Sequence, residues 1–266
     1  MRLPIHLVVF TLGFLVCFYS RRSKLMRSLA VRLGDSEDSW ESTETDAGRE
    51  WLVYLQRTLG FVLMGVIPFV LLSIAESGVF QNSGAEGAPI GVRGAANHGV
   101  SRAAELSGAV LPGGGGVVLW TLLPVGLALA FTWVRSGARI PLEVYPDVRR
   151  AEWPMKRVML NALFWILYVI GFEYFLRGYL LFPLFTELGI DGAIALNACV
   201  YALASSDEGP MKALGAFFMG IIFCMVALAT HSFVIPLIMH IILRVGKDMR
   251  AVSASWEMQF VSARGD

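Results

Sequence analysis

The length of the chain's apolar runs constrains its fold more than any other feature. A helix needs about 20 mostly apolar residues to cross a hydrocarbon core, with a working range of roughly 17–25. Six segments read as helices on that test: 3–19, 58–75, 117–134, one from 158 to beyond 179, 190–204 and 212–229. A seventh, 233–245, is shorter and is expected to be tilted, shallow or re-entrant. The composition agrees, with 56% hydrophobic and 16% charged residues and a mean hydropathy of +0.61. Soluble domains carry about 45–50% apolar and roughly 25% charged residues. The expectation is an all-α integral membrane protein, a bundle of about seven transmembrane helices.

The same numbers exclude a disordered chain, a disulfide-stapled miniprotein and a collagen-like fibre. A net charge of +1 supplies no field for a nucleic-acid partner. Cys17, Cys199 and Cys224 all fall in apolar runs without CxxC spacing, so they are expected to pack as small buried residues. Segment 3–19 has only Arg2 before it and no small-x-small cleavage site after it. The basic residues Arg21, Arg22, Lys24 and Arg27 follow instead, which makes it a retained anchor rather than a signal peptide.

Placement of Lys and Arg orients the bundle. With the loop after segment one inside, 18 of the 22 basic residues fall on the cytoplasmic side, three outside and one, Arg177, within the membrane. That bias sets the N-terminus outside and the C-terminus in the cytoplasm of a cell or inner membrane. Residues 35–50 carry seven acids against Arg49 alone and read as a solvated spacer. Residues 78–116 are rich in Gly and Ala and read as a flexible external loop.

Chemistry concentrates in the C-terminal half. Glu173 and Arg177 sit inside the fourth apolar segment. A charge near the bilayer centre costs about 2.5–3.5 kcal/mol on insertion scales, so both are expected to face the protein interior. Their i, i+4 spacing with the acid first suits a helical ion pair. Such a pair either fixes helix packing or holds Glu173 ionised and aimed in a polar site. His240 is the second polar residue in an apolar run, able to polarise water or donate to an oxyanion if it meets Glu173. The third is Ser205-Ser-Asp-Glu-Gly-Pro210, which reads first as a helix-ending turn. Ala216, Gly220 and Cys224 recur at four-residue spacing and read as a helix-packing face. The chain has no HExxH, GxSxG, P-loop or GxGxxG, and neither a metal nor an organic cofactor is expected.

Glu173-Tyr-Phe-Leu-Arg177-Gly-Tyr-Leu-Leu181, a helix pair, and then His240 near the end of an apolar run resemble the CPBP family. These are the CAAX prenyl proteases and bacteriocin-processing proteins, also called the ABI family of intramembrane endopeptidases. The family's motifs are Glu-Glu-x-x-x-Arg, Phe-x-x-x-His and His-x-x-x-Asn or Asp. The resemblance covers roughly 158–245. With the segments read above, the chain divides into four regions: an anchor helix and acidic linker (1–57), two transmembrane helices with the Gly-rich loop (58–157), a CPBP-like core (158–245) and a cytoplasmic tail (246–266). The resemblance supplies only the third. It also implies metal-free hydrolysis of peptide bonds in a membrane protein or lipidated peptide, with Glu173 as base, His240 as oxyanion or proton partner and Arg177 beside them. Phe172 stands where the first Glu is expected, Ser205 where the second-motif His is expected, and Arg244 where Asn or Asp is expected. Ser205 can hydrogen-bond a water but cannot take its proton as imidazole does. Three functions follow: an intramembrane peptidase, a catalytically silent relative acting as a scaffold or immunity-type binding protein, and, more weakly, a transporter with Glu173 as proton carrier.

Overall fold

A computed structural model of the protein describes residues 47–76, 117–134, 146–206 and 209–261. The anchor segment 3–19, the acidic stretch up to residue 46, the Gly-rich stretch and Cys17 lie outside the described residues.

The chain enters as one continuous helical rod made of α1 (Ala47–Phe61), a π turn (Val62–Val66) and α2 (Ile67–Glu76). The rod begins well before residue 58, where the apolar run starts. Glu50 and Arg57 hide its first turns from a hydropathy reading, yet those turns bury Leu52 and Tyr54 and expose Trp51 and Leu55. Next comes α3 (Val117–Val134), with Pro124 inside it. A short strand β1 (Glu152–Pro154) leads into α4 (Met155–Glu173), a π-helical segment (Tyr174–Leu181) and α5 (Phe182–Ala204). α5 is kinked at Gly189, whose φ of 72° lies in the left-handed region that side chains other than glycine rarely adopt. Then follow α6 (Pro210–Thr230), α7 (Val234–Ala254) and strand β2 (Gln259–Val261).

Four helical stretches are long and apolar enough to cross a membrane: Glu50–Ser73, Met155–Phe185, Glu187–Ala204 and Pro210–Thr230. The protein is a mostly helical integral membrane protein, and these four spans are those of the described residues, which exclude the expected segment 3–19. The run 233–245 is not a short helix: α7 continues for 21 residues through Lys247, Asp248 and Arg250, because Asp248 is buried against α4 instead of ending the helix.

Two close approaches hold the bundle. Gly171 of α4 meets the backbone of α1, where an added Cβ would lie 2.8 Å from Phe61 Cα. Gly220 of α6 meets α5, where a Cβ would lie 3.0 Å from the Tyr201 side chain and 3.1 Å from Ala198 Cα. Small residues at such crossings let membrane helices pack backbone to backbone, and the Gly220–Cys224 stripe is a packing face of that kind. Cys224 is buried, whereas Cys199 is exposed, on the side of α5 turned away from the core. On the outside, Leu214, Phe218, Ile222 and Met225 of α6 form an exposed apolar stripe, the pattern of a surface that meets lipid tails.

At the opposite extreme from the α6–α7 turn, β1 and β2 pair in parallel over a small core of Tyr54, Val148, Trp153, Val252 and Met258. Glu50 lies 3.3 Å from both Arg150 and Arg157 at this end. The start of α1, the approach to α4 and the end of α7 therefore meet at one pole of the molecule.

Candidate functional site

Every residue of the π segment Tyr174–Leu181 is buried, and the segment begins directly after Glu173. A π stretch swaps i→i+4 hydrogen bonds for i→i+5 bonds and often marks a functional position. Here it is braced from α5 by Asn197, whose Nδ2 donates to the Leu176 carbonyl. Cys224 of α6 completes the brace, with its Sγ 3.2 Å from Asn197 Oδ1.

The structure brings Glu173, Arg177 and His240 together. Both Glu173 and Arg177 have 0% side-chain exposure. Arg177 Nη1 donates to Glu173 Oε1 at 3.3 Å and lies 3.2 Å from Oε2. His240 Nδ1 lies 2.5 Å from Glu173 Oε1, bringing α7 onto the α4–π junction. Arg177 and His240 thus both meet Glu173 Oε1, while Oε2 makes only the ion-pair contact with Arg177 and has no hydrogen-bond partner among the described residues.

Aromatic rings enclose this trio. The Arg177 guanidinium lies over Tyr201 at 4.8 Å and over Phe223 at 5.3 Å, where the ring faces attract a cation. The His240 ring meets Phe172 edge-on at 5.6 Å and Phe223 at 5.8 Å. Phe172, at the position where a second carboxylate would stand, is buried and packs on Tyr201. The α5 residue that approaches Arg177 and His240 is therefore Tyr201, one turn before Ser205. Ser205 is half-buried and ends α5, its backbone N–H bonding the Ala202 carbonyl. Arg244, one turn beyond His240, reaches the other way: its Nη2 is 3.3 Å from Asp147 Oδ2 and its guanidinium lies 3.7 Å over Trp165.

Asn197 carried a signal in the sequence, since a lone amide in an apolar helix needs a partner. Tyr201 stands four residues before Ser205, where the second motif has its Phe. Phe223 carried no signal, because an aromatic in an apolar run looks like any other core residue.

Residues 150–245 match the family model Rce1-like, described as Type II CAAX prenyl endopeptidase Rce1-like. Comparison with curated proteins and with solved structures gave no match. The matched segment contains the Glu173–Arg177 pair and His240, and this Rce1-like match over residues 150–245 supports membership of the CPBP family of CAAX-protease-type membrane proteins.

Proposed function

We propose that this protein is a catalytically silent CPBP relative that binds a membrane-associated protein segment or lipidated peptide without cleaving it. The observation that carries this reading is the enclosure of Glu173. Its carboxylate has no solvent exposure, with Arg177 and His240 both against it. Attack of water on an amide needs a base that water can reach, a positioned water and an oxyanion donor about 3 Å from the reacting atom. The positions at which the family places its other groups carry Phe172, Ser205 and Arg244, and Arg244 is engaged with Asp147 and Trp165. Residues that act as a unit lose activity together, so half a constellation retains little of the rate. In this reading Glu173, Arg177 and His240 lock α4 to α7, and the fold keeps the family's capacity to receive a peptide.

One observation favours a second reading, the intramembrane endopeptidase. His240 keeps 17% side-chain exposure while its Nδ1 is held by Glu173. A carboxylate on Nδ1 leaves Nε2 as the nitrogen that meets a water, so Glu173 would orient the imidazole or share the role of base.

Purified protein in liposomes with a fluorescent farnesyl-cysteine peptide separates the two. The silent reading expects saturable binding by wild type and by Glu173→Gln, with no product that depends on Glu173. Product formed by wild type and abolished in both Glu173→Ala and His240→Ala would overturn it in favour of the peptidase. Absence of binding as well as product would remove both.

A further inference from the structure

A second buried polar cluster lies at the strand-bearing end of the bundle, outside the Glu173 site. Arg57 of α1 and Arg244 of α7 both lie against Trp165 of α4, their guanidinium carbons 3.8 and 3.7 Å from the ring centroid. Both point an Nη2 at the same oxygen, Asp147 Oδ2, at 3.2 and 3.3 Å. Arg57 Nη1 also donates to Asn161 Oδ1 at 2.8 Å. Below them Asp248 Oδ2 accepts from Trp165 Nε1 at 2.7 Å and from Asn161 Nδ2 at 3.2 Å.

Three features mark this as a binding site in addition to a clamp. First, the arginines are pre-organised: ring stacking fixes two planar donor forks before any anion arrives. Second, Arg57 keeps an unused donor. Arg57 is 3% exposed and its Nε has no hydrogen-bond partner among the described residues, while the carboxylate that serves both arginines is shared through a single oxygen. Third, the occupant is the most exposed member of the cluster. Asp147 is 22% exposed against 3% and 13% for the two arginines, and it sits in the irregular segment before β1.

We propose that Arg57, Arg244 and Trp165 form a cradle for a phosphate-bearing anion, with Asp147 as its built-in, displaceable occupant. The position of the cradle favours the phosphate of an anionic lipid headgroup. It lies between three helices at the pole where Trp51, Trp256 and Phe260 are 61%, 83% and 48% exposed, an arrangement of aromatics expected at a membrane–water interface. Basic pockets between membrane helices at that depth receive lipid headgroups. This inference is independent of whether the Glu173 site cleaves or binds peptide.

The test is a gain of function, which an unfolded variant cannot imitate. Asp147→Asn leaves the arginines in place and removes the competing charge. Native mass spectrometry of wild type and Asp147→Asn, each titrated with phosphatidylglycerol, phosphatidylcholine and inorganic phosphate, reads out occupancy. The cradle predicts that Asp147→Asn binds the anionic probe about tenfold more tightly, the value of one charged hydrogen bond. The gain should disappear when Arg57→Gln is added to Asp147→Asn. Tightening for phosphatidylglycerol alone identifies the lipid as the source, and equal tightening for inorganic phosphate identifies a soluble phosphate. If Asp147→Asn tightens neither probe, or tightens phosphatidylcholine equally, the proposal fails.

Discussion

Glu173 is the residue on which the site turns, because a buried carboxylate survives only with its partners. Removing Arg177 alone leaves the charge with His240 as its neighbour. The expected cost of Arg177→Ala is about 3–5 kcal/mol, the range for breaking a buried pair by deleting one member. Replacing both, as Glu173→Gln with Arg177→Met, removes the stranded charge and should cost less than the single change. Thermal melts of the variants in detergent check this, and equal melting temperatures for single and double variants would show that the pair is not coupled. Trp165 allows a finer dissection. Trp165→Phe keeps a ring face for Arg57 and Arg244 but deletes the Nε1–H that bonds Asp248. The loss of one hydrogen bond to a charged group predicts a destabilisation of about 1.5–3 kcal/mol, whereas a near-zero effect would mean the stacking alone holds the cluster.

Among the elements, helix crossings made by glycine are the sensitive points. At Gly171 a new Cβ meets the backbone of α1 at 2.8 Å, and backbone cannot swing aside as a side chain does. Gly171→Ala should therefore destabilise by about 1–3 kcal/mol, the usual cost of overpacking. It should also disturb the nearby Glu173, since α4 must shift to relieve the clash. Gly126 in α3 is the control, because a methyl group added there would meet nothing within 4 Å. Gly126→Ala should be neutral or stabilising by up to about 1 kcal/mol through helix propensity. Parallel melts of the two variants decide the matter: equal destabilisation would mean that backbone contact at Gly171 is not what holds α1 to α4.

For the whole molecule, the ion pairs and the strand pair bear on topology. Glu50 with Arg150 and Arg157, Asp147 with Arg57 and Arg244, and β1 with β2 join three regions that the count of basic residues assigns to one side of the membrane. The orientation expected from that count places this pole in the cytoplasm. In a background without the native cysteines, Trp40→Cys and Phe260→Cys should resist an impermeant thiol reagent applied outside intact cells, while Ile90→Cys should react. The reverse pattern would invert the topology. The site itself is far from this pole. Glu173 ends a helix about 28 Å long that starts there, whereas His240 lies in the second turn of α7, about 10 Å from its far end.

The sequence by itself determined the membrane character, because the length of an apolar run is a local property that needs no fold to be read. It also determined the Glu173–Arg177 pair, since residues four apart on a helix are neighbours whatever surrounds them. The resemblance to the CPBP family followed from the order of Glu173, Arg177 and His240 along the chain, and the Rce1-like match over residues 150–245 supports it. Only the tertiary structure decided that His240 meets Glu173, across 67 positions of sequence, and that Tyr201 rather than Ser205 approaches the trio from α5. The sequence also concealed the true starts and ends of α1 and α7, because Arg57 and Asp248 read as charges that end a membrane helix. Each is buried by partners on other elements, Asp147 and Asn161 for Arg57 and Trp165 and Asn161 for Asp248, and those partners exist only once the helices have packed.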